Sequence, residues 1–222
     1  MNRYETAISG SSIQTESANK VLKNTYMLLS ATLAFSAVMA VVSIIVAAPP
    51  FTYLVSVIAA MVLGIFVLPR KANSTSGIGI VFLITGLLGF GLGAILTQYL
   101  ALPNGPQIIA TAFGGTGIIF LGLSGYALTS KRDFSFMGGF LMAGMMVMVL
   151  AIIANLFLNM PALSLAISGG VIMIMSGFIL FDTSRIIRGG ETNYIMATFG
   201  LYLSIFNIFI HLLSILGIMS DD

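Results

Sequence analysis

The chain has no cysteine, a single histidine and very little charge: Asp, Glu, Lys and Arg together make up 7% of its 222 residues. Without cysteine there is neither a disulfide framework nor a thiolate metal site. Water-soluble domains carry about a quarter charged residues, so a chain with so few is not built for water. Hydrophobic residues fill the gap at 58%, and the mean hydropathy is +1.08. The solvent is therefore a lipid bilayer. A formal net charge of +2 is too small to point to a nucleic-acid partner.

A hydrocarbon core about 30 Å thick needs roughly 20 apolar residues per spanning helix. Seven such runs are expected, near Val21 to Ala47, Phe51 to Leu68, Gly77 to Leu102, Pro106 to Thr129, Phe134 to Leu158, Pro161 to Phe181 and Tyr194 to Met219. Their connections are short and rich in turn residues, as in "AAPPF", "LPNGPQ" and "RIIRGGETN", which makes consecutive helices antiparallel neighbours. The expected fold is an all-α membrane protein, a seven-helix bundle over residues 21–222. A polar cytoplasmic tail, residues 1–20, precedes it.

Lys and Arg fall on one side only. Arg3, Lys20 and Lys23 precede the first span, and Arg70, Lys71, Lys131, Arg132, Arg185 and Arg188 occupy alternate loops, while the intervening loops hold no charge. Basic residues stay on the cytoplasmic side, so the amino terminus is expected inside and the carboxyl terminus, ending Asp221 and Asp222, outside.

Small residues let helices approach closely in lipid. Gly89 and Gly93 in "GLLGFGLGA", the glycines of "FGGTG" and "GLSG", and Gly139 with Ala143 are expected at helix contacts. Met142, Met145, Met146 and Met148 are expected to fill gaps or face lipid.

Gly122 to Gly125 spell G-x-S-G, a pattern that intramembrane serine proteases place around their nucleophile, and His211 is the one histidine. At a rise of 1.5 Å per residue, Ser124 lies roughly 9 Å from the inner end of its helix and His211 roughly 28 Å from the inner start of its own. The two cannot share a hydrogen bond, so no catalytic residue, metal site or cofactor is assigned, and the chain is not read as an enzyme.

The polar residues of the last span are better organised. Gly200, Ser204, Asn207, His211 and Ser214 recur at steps of four and three, which places them on one stripe of a helix. Asp182 lies on the preceding helix near its cytoplasmic end, and Arg185 is one turn below it on the same face. An ionisable residue within a span is a functional candidate. Asp182, Arg185, Ser204 and Asn207 form the candidate cluster.

The run "ILFDTSRIIRGGETNYIMATFGLYLSIFNIFIHLLSILG" resembles the last hairpin of the Bax inhibitor-1, or transmembrane Bax inhibitor motif, family. "TGLLGFGLGAIL", "FSFMGGFLMAG" and "NLFLNMPALSLAIS" extend the likeness over nearly the whole chain, toward the family's bacterial branch. That resemblance implies an inner-membrane protein that binds and modulates the ATP-dependent membrane protease FtsH, with its regulatory complex, and is also its substrate. The alternative is a pH-sensitive Ca²⁺ or H⁺ leak. Conducting members pair an aspartate on helix six with one on helix seven, assisted by an arginine on helix two. Asp182 matches the first aspartate, the second position is Ser204, and helix two holds no charge. The family's Gly-Pro in helix three is Gly93-Ala94. Asp182 is then either the remaining half of an ion site, bonded to Ser204 or Asn207 as a lock between helices six and seven, or a boundary residue paired with Arg185. The protease handle is expected in the tail, from Asn2 and Arg3 to Thr15.

Overall fold

The computed structural model describes the backbone of residues 3–130 and 132–220, and the side chains of 16–130 and 132–220. Among these residues the chain is all helical. Seven helices are long and apolar enough to cross a membrane: α1 (Arg3–Ile45), α2 (Phe51–Val62, continued to Lys71), α3 (Thr75–Leu100), α4 (Gly105–Thr129), α5 (Gly138–Leu158), α6 (Pro161–Ile187) and α7 (Tyr194–Ile218).

The boundaries follow local chemistry. Proline opens α4 and α6 in their first turns, where its missing N–H has no partner to lose. Asn193 caps α7, its side-chain oxygen accepting from the amides of Ile195 and Met196. Asn159 closes α5 in the left-handed region, at φ 52°. Within α2, residues Leu63–Val67 form a π-turn just before Pro69, whose ring and missing N–H disturb the ladder one turn back. Arg70 Nη1 donates to the Phe66 carbonyl at 2.6 Å. The polar segment expected as a cytoplasmic tail continues α1 backward to Arg3, which no proline interrupts before Pro49. Asn2 and the side chains of Arg3 and Thr15, expected as the protease handle, lie outside the described residues.

The bundle is built around α7, which packs against α1, α3, α4 and α6. Leu201, Tyr202 and Ile205 join Leu29, Ile84 and Leu88 in its core. Tyr202 Oη lies 2.6 Å from Ser36 Oγ and donates to the Thr85 carbonyl at 3.3 Å, tying α7 to α1 and α3. By contrast α5 lies at the periphery against α6, and within the helix only Leu141 is buried.

The glycine expectations divide. Gly89 sits on the Ser36 backbone and Gly93 on that of Ala40, so α3 crosses α1 nearly backbone to backbone. The glycines of α4 were expected at contacts too. Instead Gly114, Gly117, Gly122 and Gly125 face open space, as does Gly139 at the start of α5. Only Gly115 of the α4 set meets a neighbour, Leu212. Glycine spacing alone does not say which face of a helix meets protein. Met142 and Met146 are exposed, whereas Met145 and Met148 pack against the core between α6 and α7.

Candidate functional site

The α6 and α7 hairpin carries a polar group near each end of its interface. Near the charged end, α6 runs on past the apolar stretch to Ile187, and Asp182 lies within the helix, as expected, a little over one turn from its end. Its carboxylate rests against Gly200: a Cβ on that glycine would stand 2.9 Å from Asp182 Oδ2. The backbone can approach the acid only because Gly200 has no side chain.

The hydrogen bonds expected of Asp182 go elsewhere. Ser204 Oγ donates to the Gly200 carbonyl at 3.2 Å, and Asn207 Nδ2 to the Leu203 carbonyl at 2.8 Å. A hydroxyl or amide one turn above a helical carbonyl finds that acceptor at no cost in chain movement. Nor does Arg185 pair with Asp182. Arg185 Nη2 lies 3.4 Å from Glu191 Oε2 and donates to the Gly190 carbonyl, with its guanidinium carbon 5.3 Å from the centre of the Phe181 ring. The tight turn at Gly189, φ +72°, brings Glu191 back under the helix and takes the arginine.

The residues that follow Asp182 on α6 make polar contacts to other elements. Tyr26 Oη bonds Ser124 Oγ, and Ser124 Oγ lies 3.4 Å from Thr183 Oγ1, so α1, α4 and α6 meet one residue from Asp182. Next in sequence, Ser184 Oγ accepts from the Phe134 amide at 3.2 Å and lies 3.5 Å from Asp133 Oδ1. Arg188 Nε stands 3.5 Å from the same oxygen. Asp133 also accepts from the Ser135 amide at 2.8 Å. That bond, and after it the Ser135 hydroxyl, holds the Asp133 carboxyl below its ordinary range, with help from Arg188. Asn193 Nδ2 donates to Asn73 Oδ1 at 2.7 Å, which joins the loop before α3 to the loop before α7.

Near the opposite end, His211 Nδ1 lies 3.1 Å from Ser168 Oγ. Ser168 was not foreseen, although the signal was present: Ser168 and His211 each lie seven residues from the same end of the hairpin, at Pro161 and Ile218. Ser124 and His211 therefore belong to separate layers, as their depths require. Among the described residues no group of three or more His, Asp or Glu side chains converges.

These features define a multi-pass membrane protein whose last hairpin holds one intramembrane carboxylate. The family profile described as "Inhibitor of apoptosis-promoting Bax1" matches residues 18–221, and the chain belongs to that family, the Bax inhibitor-1 family. It is 50% identical over 206 residues to the "Modulator of FtsH protease YccA" of Escherichia coli K12, covering 93% of each chain. It is 51% identical over 209 residues to a membrane protein of Vibrio cholerae, 94% of each chain. A protein of Pseudomonas aeruginosa is 47% identical over 203 residues, 91% of this chain and 90% of its own. A relative of Escherichia coli O6:H1, 50% identical over 206 residues, is named an inner membrane protein, and the present chain is likewise a protein of the bacterial inner membrane.

Proposed function

We propose that this chain is a regulatory protein which binds an FtsH-type ATP-dependent membrane protease, slows its action on other membrane substrates and is itself degraded by it. The observation that carries this reading is the 50% identity, over 93% of both chains, to a relative named for modulating that protease. It works by binding; no residue here is given a catalytic role.

The one-sided distribution of Lys and Arg supports an amino terminus in the cytoplasm and a carboxyl terminus in the periplasm. A protease acting from the cytoplasm then needs a cytoplasmic end to seize. The carboxyl-terminal end is tied down on the other face, where Asn104 Nδ2 donates to Ser220 Oγ and the Tyr99 ring packs on Gly217. The amino-terminal segment before Glu16 is the handle. A polar helix of roughly a dozen residues is marginal by itself in water, so the protease can unwind it from Arg3 toward Thr15. Asp182 acts as part of a closed hairpin. The competing Ca²⁺ or H⁺ leak has less support, because the position matching a second carboxylate is Ser204, buried and turned to its own helix.

Deleting residues 2–15 while keeping Lys20 and Lys23 should leave the bundle inserted and bound to the protease but stop its degradation. The longer-lived protein should slow turnover of other membrane substrates. Pulse-chase in cells with and without the protease, together with co-purification, measures both. Unchanged decay of the shortened chain would remove the handle, and unchanged lifetimes of other substrates would remove the regulatory role.

A further inference from the structure

Along the outer half of α7, three polar side chains lie on one line and none is fully covered. Asn207, His211 and Ser214 are each partly exposed and sit at steps of four and three, on the stripe that meets α6 through the His211 and Ser168 contact. Counted from Ile218 at 1.5 Å per residue, they lie roughly 6, 10 and 16 Å from the helix end, Ser214 nearest and Asn207 deepest.

Each leaves a polar atom without a protein partner among the described residues. Asn207 turns its NH₂ to the Leu203 carbonyl, which leaves Oδ1 open. His211 uses Nδ1 on Ser168, which leaves Nε2 open. Ser214 has no hydrogen bond to the described residues. Polar groups at such depths face protein or water, because hydrocarbon offers them nothing to bond. The protein does not bond these three atoms, and the line they form reaches the end of the helix.

We propose that α6 and α7 frame a water-filled crevice, open at the periplasmic end of the bundle, that admits water and small hydrophilic solutes past Ser214 and His211 and stops at Asn207. The floor is the next residue of the stripe. Ser204 is buried and donates to the Gly200 carbonyl, so the crevice does not reach Asp182 and is a blind vestibule instead of a path across the membrane. The assignment to the periplasmic end rests on the orientation proposed above; the crevice itself does not.

The natural absence of cysteine makes the test direct. Single variants Ser214→Cys, Asn207→Cys and Ser204→Cys, with lipid-facing controls Phe113→Cys and Ile118→Cys on exposed positions of α4, are placed in membranes. A charged, membrane-impermeant thiol reagent is added separately to right-side-out and inverted vesicles. Only a hydrated thiol ionises and reacts, so Ser214→Cys and Asn207→Cys should react at least about tenfold faster than both controls. Both should do so in the same vesicle type, with Ser204→Cys as slow as the controls. Fast reaction in inverted vesicles only would reverse the orientation while leaving the crevice standing. Asn207→Cys reacting no faster than Ile118→Cys, in a variant that elutes like the parent in detergent, overturns the crevice. So does reaction in detergent but not in membranes, which would put a partner helix on the stripe. Ser204→Cys reacting as fast as Asn207→Cys overturns the blind end.

Discussion

The Asp182 carboxylate packs against the backbone of Gly200, so that an acidic side chain inside a span lies where the facing helix carries no side chain at all. This close approach joins α6 to α7 at a point where a Cβ would stand 2.9 Å from Asp182 Oδ2.

Enlarging Gly200 should therefore open the hairpin. Gly200→Val is expected to destabilise the protein by about 1–3 kcal/mol, the usual cost of overpacking. Shortening the acid should return part of that loss, so Asp182→Ala in the Gly200→Val background is expected to be less harmful than the sum of the single changes. Thermal unfolding of the four proteins in detergent gives the coupling. Strict additivity would mean that the two residues do not share space.

The glycines of α3 and α4 should respond oppositely to alanine. At Gly89 a methyl group runs into the carbonyl and side chain of Ser36, and backbone cannot step aside, so Gly89→Ala should lower steady-state level and stability sharply. Gly122 faces open space. There alanine meets nothing and gains up to about 1 kcal/mol of helix propensity, so Gly122→Ala should be neutral or mildly stabilising. Expression level and melting temperature of the two variants suffice to compare them.

Asp133 should pin the loop between α4 and α5 at all but strongly acidic pH. Its folded-state carboxyl titrates below the ordinary 3.8, first through the Ser135 amide. A lowered carboxylate contributes stability above its unfolded value and loses it as pH falls through the folded one. Protection of the Phe134 and Ser135 amides from exchange should therefore be unchanged between pH 7 and 5. Asp133→Ala should lower it several-fold at neutral pH, while leaving amides of the α7 core unaffected.

Topology follows from charge. A reporter active only in the cytoplasm should be silent when fused after Asp222 and active when inserted after Lys71 or Arg132, since all basic residues lie at the latter end. Activity from the carboxyl-terminal fusion would reverse the orientation argument and with it the placement of the protease handle.

The sequence by itself determined the seven spans and their turns, the proline starts of α4 and α6, and the stripe from Gly200 to Ser214. Each of these depends on one chain segment meeting a solvent: about 20 apolar residues are needed to cross the hydrocarbon, and polar residues four and three apart must share a face. What only the tertiary structure decided is which apolar face meets protein and which meets lipid. Lipid tails are as apolar as leucine, so Gly89, packed on Ser36, and Gly122, facing outward, read alike in sequence. The same limit hid the partners of the polar groups. Arg185 found Glu191 across the Gly189 turn, and Ser204 and Asn207 took carbonyls of their own helix, because acceptors one turn away are reached without any movement of the chain.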